Sequence, residues 1–224
     1  SADNFDLTLE LYETKGATAS VSLFRKHITG FFVTNRGPAT LERLEEFGLS
    51  DDYLDYDIIT KRNGGDARLT GVEVEYRQSL LFLPAWARGT QVFGNVTSMD
   101  LGGANADDFS GYTAKTGNWG VSFTRPRFSA RVAVNYTGVR RIAIAAASGS
   151  VRPGSYTFYA PQTRIDVAVS CMLHRRVTAY LDIRNLTGEP LRRGTWSPDT
   201  PHYARLDVLQ FAGAMFTLGL RGQF

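Results

Sequence analysis

Residues that could do chemistry are few in this sequence, and they are scattered. Its three histidines and its only cysteine are His27, His174, His202 and Cys171. A hydrolase needs a nucleophile beside a His and a carboxylate, and no serine motif accompanies any of these histidines. A zinc site needs closely spaced Cys and His ligands, which this spacing does not offer. The sequence therefore predicts no catalytic residue, no metal site, no cofactor and no enzymatic activity.

The composition limits the class of protein. The 224 residues are 43% hydrophobic with a mean hydropathy of −0.20. No run of about 18 apolar residues could form a spanning helix, so a helical membrane protein is excluded. A transmembrane β-barrel is not excluded, because its outward apolar residues alternate with inward polar ones. The net charge is +3, but Arg and Lys are dispersed, so nucleic acid is not an expected partner.

The last fourteen residues, 211–224, carry the strongest pattern. Phe216, Leu218 and Leu220 alternate with small or polar residues, and the sequence ends on the aromatic Phe224. A period of two predicts a strand whose two faces meet different environments. An exposed terminal strand this apolar would promote aggregation in water, so we expect a closing partner or a lipid phase beside it.

The same alternation recurs along the chain and predicts nine strands. They cover about 5–12, 19–33, 56–79, 90–98, 118–123, 128–136, 165–173, 177–184 and a final strand from near Tyr203. The pair Gly64-Gly65 interrupts the third of these strands and predicts a bulge or bend there. Residues 41–47 predict a two-turn helix, with Thr40 as its N-cap and Gly48 at its end.

The connections between the predicted strands alternate in length. Short ones lie near 13–16, 80–89, 125–127 and 174–176, and long ones near 34–55, 99–113, 142–162 and 185–202. A sandwich has no reason to gather its long loops at one end, whereas outer-membrane barrels have short periplasmic turns and long extracellular loops. The predicted fold is all-β: an antiparallel transmembrane β-barrel fragment of about nine strands, forming a curved open sheet with one short loop helix.

Several segments together resemble TonB-dependent outer-membrane receptors. They are Ser22–Lys26, Leu69–Tyr76, Leu81–Pro84, Asn95–Thr97, Tyr180–Thr187 and Phe216–Phe224, in this order over nearly the whole chain. Full barrels of this kind have about 22 strands and a plugged lumen. The resemblance therefore implies that residues 1–224 are the C-terminal portion of the barrel domain. The family's plug domain and signal peptide have no counterpart in the sequence, and we expect a fragment.

The resemblance also implies a location and a function. The location is the bacterial outer membrane, and the function is the energised uptake of a scarce solute, such as an iron chelate, cobalamin or a glycan. The implied partners are outer-membrane lipid, the barrel-assembly machinery, a plug domain, the energy-transducing inner-membrane complex and the small solute. A smaller passive porin-like or enzymatic barrel, and a soluble β-sandwich binding module, are the alternatives.

Candidate functional residues fall into three groups. In the family the closing strand is read by the assembly machinery, which assigns Phe216 and Phe224 as an assembly signal. Charged residues that alternate with apolar ones along the predicted strands could face a water-filled lumen, line it and hold the plug: Glu73, Glu75, Arg131, Asp166, Asp182 and Arg184. Loop residues that could contact the solute are Arg36, Asp107, Asp108, Tyr156, Tyr159, Trp196 and His202.

Overall fold

The computed structural model describes most of residues 1–224, and for residues 33–36 it describes the backbone alone. The positions left out are Thr14, Asp55, Asn105, Asp107, Asp108, Ser110, 146–150, Pro153, Gln223 and Phe224.

Strands make up most of the described chain. In order, β1 to β15 are Ala2–Glu13, Ala17–Thr29, Phe32–Pro38, Asp57–Asn63, Asp66–Ser79, Thr90–Gly102, Lys115–Arg125, Phe128–Thr137, Arg140–Ile144, Tyr156–Tyr159, Gln162–His174, Val177–Arg184, Leu191–Trp196, Val208–Gln210 and Met215–Gly222. The helix α1 (Leu41–Glu46) and short 3-10 turns at Asp51–Tyr53 and His202–Ala204 lie in the connections. No helix in the described ranges has both the length and the apolar character to span a membrane.

Nine of these strands form one antiparallel sheet, as the sequence predicted. Its order is β1-β2-β5-β6-β7-β8-β11-β12-β15. The other six described strands form two small sheets within the connections, a β3–β4 pair and a four-stranded sheet of order β14-β13-β10-β9. We call the four-stranded one the loop sheet.

The connections of the nine-stranded sheet differ sharply in length at its two ends. At the short-turn end they are 14–16, 80–89, 126–127 and 175–176. At the other, the long-loop end, they are 30–65, 103–114, 138–161 and 185–214. This arrangement confirms the predicted asymmetry.

The predicted loop helix is confirmed in α1. The Thr40 side-chain oxygen accepts a hydrogen bond from the Arg43 N–H at 3.4 Å, as an N-cap does. At the other end Gly48 has a φ of +65°, which glycine adopts without a steric penalty. The N–H of Leu49 then reaches back to the carbonyl of Leu44 at 2.8 Å and satisfies a carbonyl of the last turn.

Two predicted strands were drawn too long. The strand predicted over 19–33 ends at Thr29, and the strand predicted over 56–79 is two strands, β4 and β5. The β2–β5 ladder ends at the pair Thr29–Asp66, and the β3–β4 ladder begins just beyond, at Phe32–Asn63. The predicted bend at Gly64-Gly65 is confirmed, since it separates β4 from β5 without reversing the chain.

Three further differences lie at the long-loop end. The segments 142–162 and 185–202 were predicted as loops but contain strands of the loop sheet. The final strand begins at Met215 and not near Tyr203, because 208–210 pair with β13 instead of β12. All three errors arise because sheet membership depends on the partner strand, which alternation within one strand does not reveal.

The two faces of the nine-stranded sheet differ in chemistry. One row across the strands is apolar: Val92, Val121, Val132, Val167, Ile183 and Phe216. The adjacent row, on the opposite face, is polar or small: Gln91, Ser122, Arg131, Ala168, Asp182 and Thr217. We call these the apolar face and the polar face.

Apolar side chains of the sheet are exposed and do not pack into a core. Leu9 is 75% exposed and Leu218 is 79% exposed. Among the described residues the largest fully buried side chain is Leu44, which lies in α1 and not in the sheet. A sandwich would bury one face of each sheet in a dry core. The described fold instead has an apolar face that requires a non-aqueous environment, as a transmembrane barrel wall does.

Candidate functional site

The polar face carries a cavity of about 500 Å³ near the short-turn end, which we call the wall cavity. Six of its lining side chains bear hydroxyl groups: Ser122, Thr124, Ser129, Ser170, Thr178 and Tyr180. The hydroxyls of Ser129 and Ser170 are hydrogen-bonded to each other at 2.8 Å. Arg131, Asp182 and Arg221 supply the charges of the lining. The cavity can therefore form many hydrogen bonds with a polar occupant.

Aromatic rings on the polar face lie over glycines of the neighbouring strands. A Cβ atom added at Gly71 would meet the ring of Phe24 first, and one added at Gly120 would lie 2.8 Å from the ring of Phe93 and closer still to the backbone carbonyl of Val132. At Gly219 the same atom would lie 2.5 Å from the hydroxyl of Tyr180. These rings therefore lie against the sheet because the facing residue has no side chain.

Arginines of the polar face stack on two of these rings. The guanidinium carbon of Arg131 is 4.2 Å from the centroid of Phe93, and that of Arg221 is 5.9 Å from the centroid of Tyr180. Such contacts hold a cation near an aromatic surface while leaving its N–H groups available to a ligand or a carboxylate.

All six residues predicted to line a lumen lie on the polar face. Arg131 and Asp182 lie on either side of Ala168, on its two neighbouring strands, and both line the wall cavity. Arg184 lies two residues beyond Asp182 on β12. Glu73 and Glu75 lie apart from this group, on β5, where Glu75 is 3.8 Å from Arg77 and both side chains are more than half exposed.

Asp166 is the most constrained of the six. One carboxylate oxygen accepts from the side-chain amide of Asn135 at 2.8 Å, and the other accepts from the backbone N–H of Asn185 at 2.9 Å. Its carboxylate therefore joins β8 to the residue that follows β12.

A second cavity, of about 450 Å³, lies at the long-loop end, and we call it the loop groove. Its described lining is aromatic, cationic and apolar: Leu101, Ala106, Tyr112, Ala114, Val139, Arg141, Tyr156, Phe158, Trp196, Ser197, Pro198 and Arg205. The rings of Phe158 and Trp196 are stacked, with centroids 4.2 Å apart and planes at 17°. Guanidinium groups lie close to aromatic rings, Arg141 at 4.8 Å from Tyr156 and Arg205 at 6.0 Å from Trp196.

The loop sheet positions these aromatic side chains. Tyr156 of β10 is directly opposite Trp196 of β13, and Phe158 is opposite Gly194. Because Gly194 has no side chain, the ring of Phe158 can lie diagonally against Trp196. Arg141 of β9 donates to the carbonyl oxygens of Ala106 and, at 3.3 Å, Phe109. This ties the 103–114 connection to the loop sheet and closes one side of the groove.

Tyr112 belongs to the same wall of the groove. Its hydroxyl donates to the carbonyl oxygen of Met99 at 2.5 Å. Partial burial raises the pKa of the Tyr112 phenol above its ordinary value, and the carboxylate of Asp100 adds to this, while Arg141 acts in the opposite direction. Tyr112 is therefore a neutral hydrogen-bond donor at physiological pH.

The predicted solute contacts are only partly brought together. Tyr156 and Trp196 line the loop groove. Tyr159 is not part of the described lining of the groove. It pairs with Arg193, and the guanidinium carbon of Arg140 is 4.6 Å from the centroid of its ring. His202 is exposed in a 3-10 turn. Asp107, Asp108 and the side chain of Arg36 lie outside the part of the chain that is described.

Sequence reasoning missed four aromatic or cationic residues of the groove: Tyr112, Arg141, Phe158 and Arg205. The alternation of Tyr156 and Phe158 was a usable signal for a short strand, but its partners are distant in sequence. The three histidines lie in different elements, His27 on β2, His174 at the end of β11 and His202 in a 3-10 turn, and Cys171 is exposed on β11. Within the described ranges, no group of three or more His, Cys, Asp or Glu side chains could hold a metal ion.

A two-faced antiparallel sheet with its long loops gathered at one end is the fold of a transmembrane β-barrel wall. The chain belongs to the TonB-dependent receptor-like β-barrel family, whose model matches residues 1–186. The resemblance found in the sequence is thereby confirmed. A comparison with curated protein sequences gave no match.

Solved structures of similar fold agree with this assignment. A mutant of the ferric enterobactin receptor PfeA from Pseudomonas aeruginosa has a TM-score of 0.68 at 18% identity, over 100% of this chain and 31% of that one. The copper transporter OprC gives 0.67 at 12% identity, over 100% and 31%. The siderophore receptor PirA from Acinetobacter baumannii gives 0.60 at 14%, over 100% and 32%. The chain thus spans about a third of the length of these proteins, and at such identities the likeness concerns the fold.

Proposed function

We propose that this chain forms part of the barrel wall of a TonB-dependent receptor in the bacterial outer membrane. The observation that carries the proposal is the family match over residues 1–186. In this arrangement the apolar face contacts lipid, the polar face lines the lumen, the short-turn end is periplasmic and the long-loop end is extracellular. The protein then mediates energised uptake of a scarce solute and makes no covalent bond.

The proposed partners follow from this architecture. Residues 1–224 would be the C-terminal portion of a barrel domain, whose remaining strands pair with the free edges of β1 and β15. A plug domain, linked to the energy-transducing inner-membrane complex, would occupy the lumen. Glu73, Glu75, Arg131, Asp166, Asp182 and Arg184 would line the lumen around it, and the wall cavity would supply hydroxyl groups. Phe216, 64% exposed on the apolar face, and Phe224 would be read by the barrel-assembly machinery.

The loop groove is the proposed solute contact. Its two guanidinium groups and its stacked aromatic pair favour an anionic solute with flat unsaturated groups. Two of the similar structures are named a ferric enterobactin receptor and a siderophore receptor, and a third a copper transporter. These names support a metal or a metal chelate over cobalamin or a glycan.

The test is uptake by whole cells that make the full-length protein and lack their other receptors for iron chelates. The cells are given ferric enterobactin labelled with radioactive iron, labelled cobalamin or a labelled maltodextrin. We expect accumulation of the iron chelate, and we expect it to stop when the inner-membrane complex is deleted. Uptake that continues without this complex would show a passive porin and contradict the proposal.

A point variant connects this uptake to the loop groove. Trp196→Ala removes half of the stacked pair and is expected to weaken binding of the iron chelate at least about tenfold, as loss of a central aromatic contact usually does. His202→Ala, in the same connection but outside the groove, is the matched control and should leave binding unchanged. Equal binding of the iron chelate by both variants would show that the loop groove does not bind it.

A further inference from the structure

Asn185 has a conformation and a set of hydrogen bonds that a surface turn does not need. Among the described residues it is the one non-glycine residue with a positive φ, which is 53°. Its side chain is largely buried, and the residue is only 9% exposed. Its side-chain amide donates to the carbonyl oxygens of Glu189 at 3.0 Å and Gly213 at 3.1 Å. Its side-chain oxygen accepts from the N–H of Glu189 at 2.9 Å. Asn185 therefore joins the beginning of the 185–214 connection to its end.

Asp166 attaches this joint to the polar face of the sheet. Its carboxylate accepts from the N–H of Asn185 and from the side-chain amide of Asn135, whose oxygen accepts in turn from the amide of Asn118. The hydrogen bonds run without interruption from β7, through β8 and β11, to the start of the connection. A continuous set of such bonds holds its members in one arrangement more firmly than isolated pairs do.

The 185–214 connection carries one side of the loop groove. Trp196 lies on it in β13, and Arg205 follows the 3-10 turn. Asn185 holds the two ends of this connection together. This restricts the positions that the residues between the two ends can reach.

We propose that Asp166 and Asn185 form a clamp that positions the solute-binding connection relative to the lumen wall. Asp166 is then a positioning residue: it orders the loop groove through Asn185 and has no contact with the solute. The role of the groove rests on the proposed function, whereas the mechanical role of the clamp does not. A lumen-facing carboxylate thus governs how well ordered an extracellular loop is.

The chain of hydrogen bonds through Asn118, Asn135 and Asp166 predicts that Asp166→Asn preserves the clamp, whereas Asp166→Ala does not. Asp166→Ala removes both acceptors, so the N–H of Asn185 loses its partner. Asp166→Asn keeps one oxygen for that N–H and offers an NH₂ group toward Asn135. Since Asn135 and Asn118 can both rotate their amides by half a turn, the chain can reverse its donor direction and stay intact. The asparagine variant should therefore behave like the parent.

The experiment measures amide hydrogen exchange in the full-length protein in lipid nanodiscs, without any solute. Peptides within residues 186–212 report the connection, and peptides of β8 and β11 report the wall. We expect exchange about tenfold faster in 186–212 for Asp166→Ala, with the wall unchanged, because a buried donor is left unpaired. Asp182→Ala, a carboxylate on the same face outside the clamp, is the control and should match the parent, as should Asp166→Asn.

A second variant keeps the proposal testable if Asp166→Ala does not assemble. Asn185→Gly retains the positive φ and the N–H bond to Asp166 but deletes the three side-chain bonds. It should also speed exchange in 186–212 about tenfold. Unchanged exchange in Asn185→Gly, or an Asp166→Asn variant as mobile as Asp166→Ala, would overturn the clamp. Because no solute is present, failure here is distinct from failure of the uptake experiment.

Discussion

Replacement of Val167 by Arg should strongly destabilise the full-length barrel. Val167 is near the middle of β11 on the apolar face, directly between Val132 and Ile183 on the neighbouring strands. No polar side chain of this row could pair with a guanidinium placed there. An Arg on the lipid face near the bilayer midplane costs about 2–4 kcal/mol, which is roughly a 30- to 700-fold change in the unfolding equilibrium constant.

Ala168→Arg is the matched control, because it places the same side chain one residue away on the polar face. There it would lie directly opposite Asp182 on one side and Arg131 on the other, and it would extend into the wall cavity. Attraction to one neighbour and repulsion from the other each amount to about 0.2–1 kcal/mol and largely cancel. We therefore expect a change of less than about 1 kcal/mol in the free energy of unfolding. Val134→Arg should repeat the large penalty, but Ala133 is a poorer control, since it is only 7% exposed.

The measurement is reversible unfolding of both variants in urea, with the full-length protein inserted in lipid vesicles. The difference between two adjacent positions cancels most effects of the mutation on the unfolded state. A larger penalty for Ala168→Arg than for Val167→Arg would refute the reasoning. It would mean that the polar face, and not the apolar face, contacts lipid.

Two further predictions concern Phe224 and the 103–114 connection. Deletion of Phe224 from the full-length protein should lower the amount of assembled receptor, measured as folded protein in outer-membrane fractions, without changing solute affinity per folded molecule; equal amounts of mutant and parent would contradict the assembly role. Tyr112→Phe should loosen the 103–114 connection by about 1 kcal/mol in amide exchange, because it removes the hydrogen bond to Met99. The pKa of Tyr112 is raised above 10.0, so the parent protein should keep slow amide exchange in this connection below pH 10.0 and lose it as the pH rises through the raised pKa. Exchange in Tyr112→Phe should show no pH-dependent change of this kind.

The nine-stranded sheet could be predicted because its signal is local. Each strand alternates between two environments, and the alternation is visible within the strand itself. The same property explains the two strands drawn too long: β2 runs toward β3, and β4 toward β5, with no change of period where one ladder ends and the next begins. Alternation identifies a strand but not the sheet to which it belongs.

The loop groove could not be predicted in the same way, because its geometry depends on distant pairings. Arg141, Phe158 and Trp196 meet only through the register of β9, β10 and β13. These strands are four to six residues long. The clamp proposed for Asp166 is similar: alternation in the sequence placed Asp166 among the polar residues of its strand, but its link to Asn185 depends on a backbone N–H beyond the end of β12.

In the proposed receptor, the pairing of aromatic rings with glycines on the polar face would affect the width of the lumen. The rings of Phe24, Phe93 and Tyr180 lie close to the backbone because Gly71, Gly120 and Gly219 leave room for them. If Gly71 or Gly219 were alanine, the new methyl group would meet the facing ring first, and the ring would have to move away from the sheet, toward the space that a plug and a solute would share in the proposed receptor. In the proposed receptor these glycines would therefore set how far the rings project into the lumen, although they have no side chain that could contact the solute.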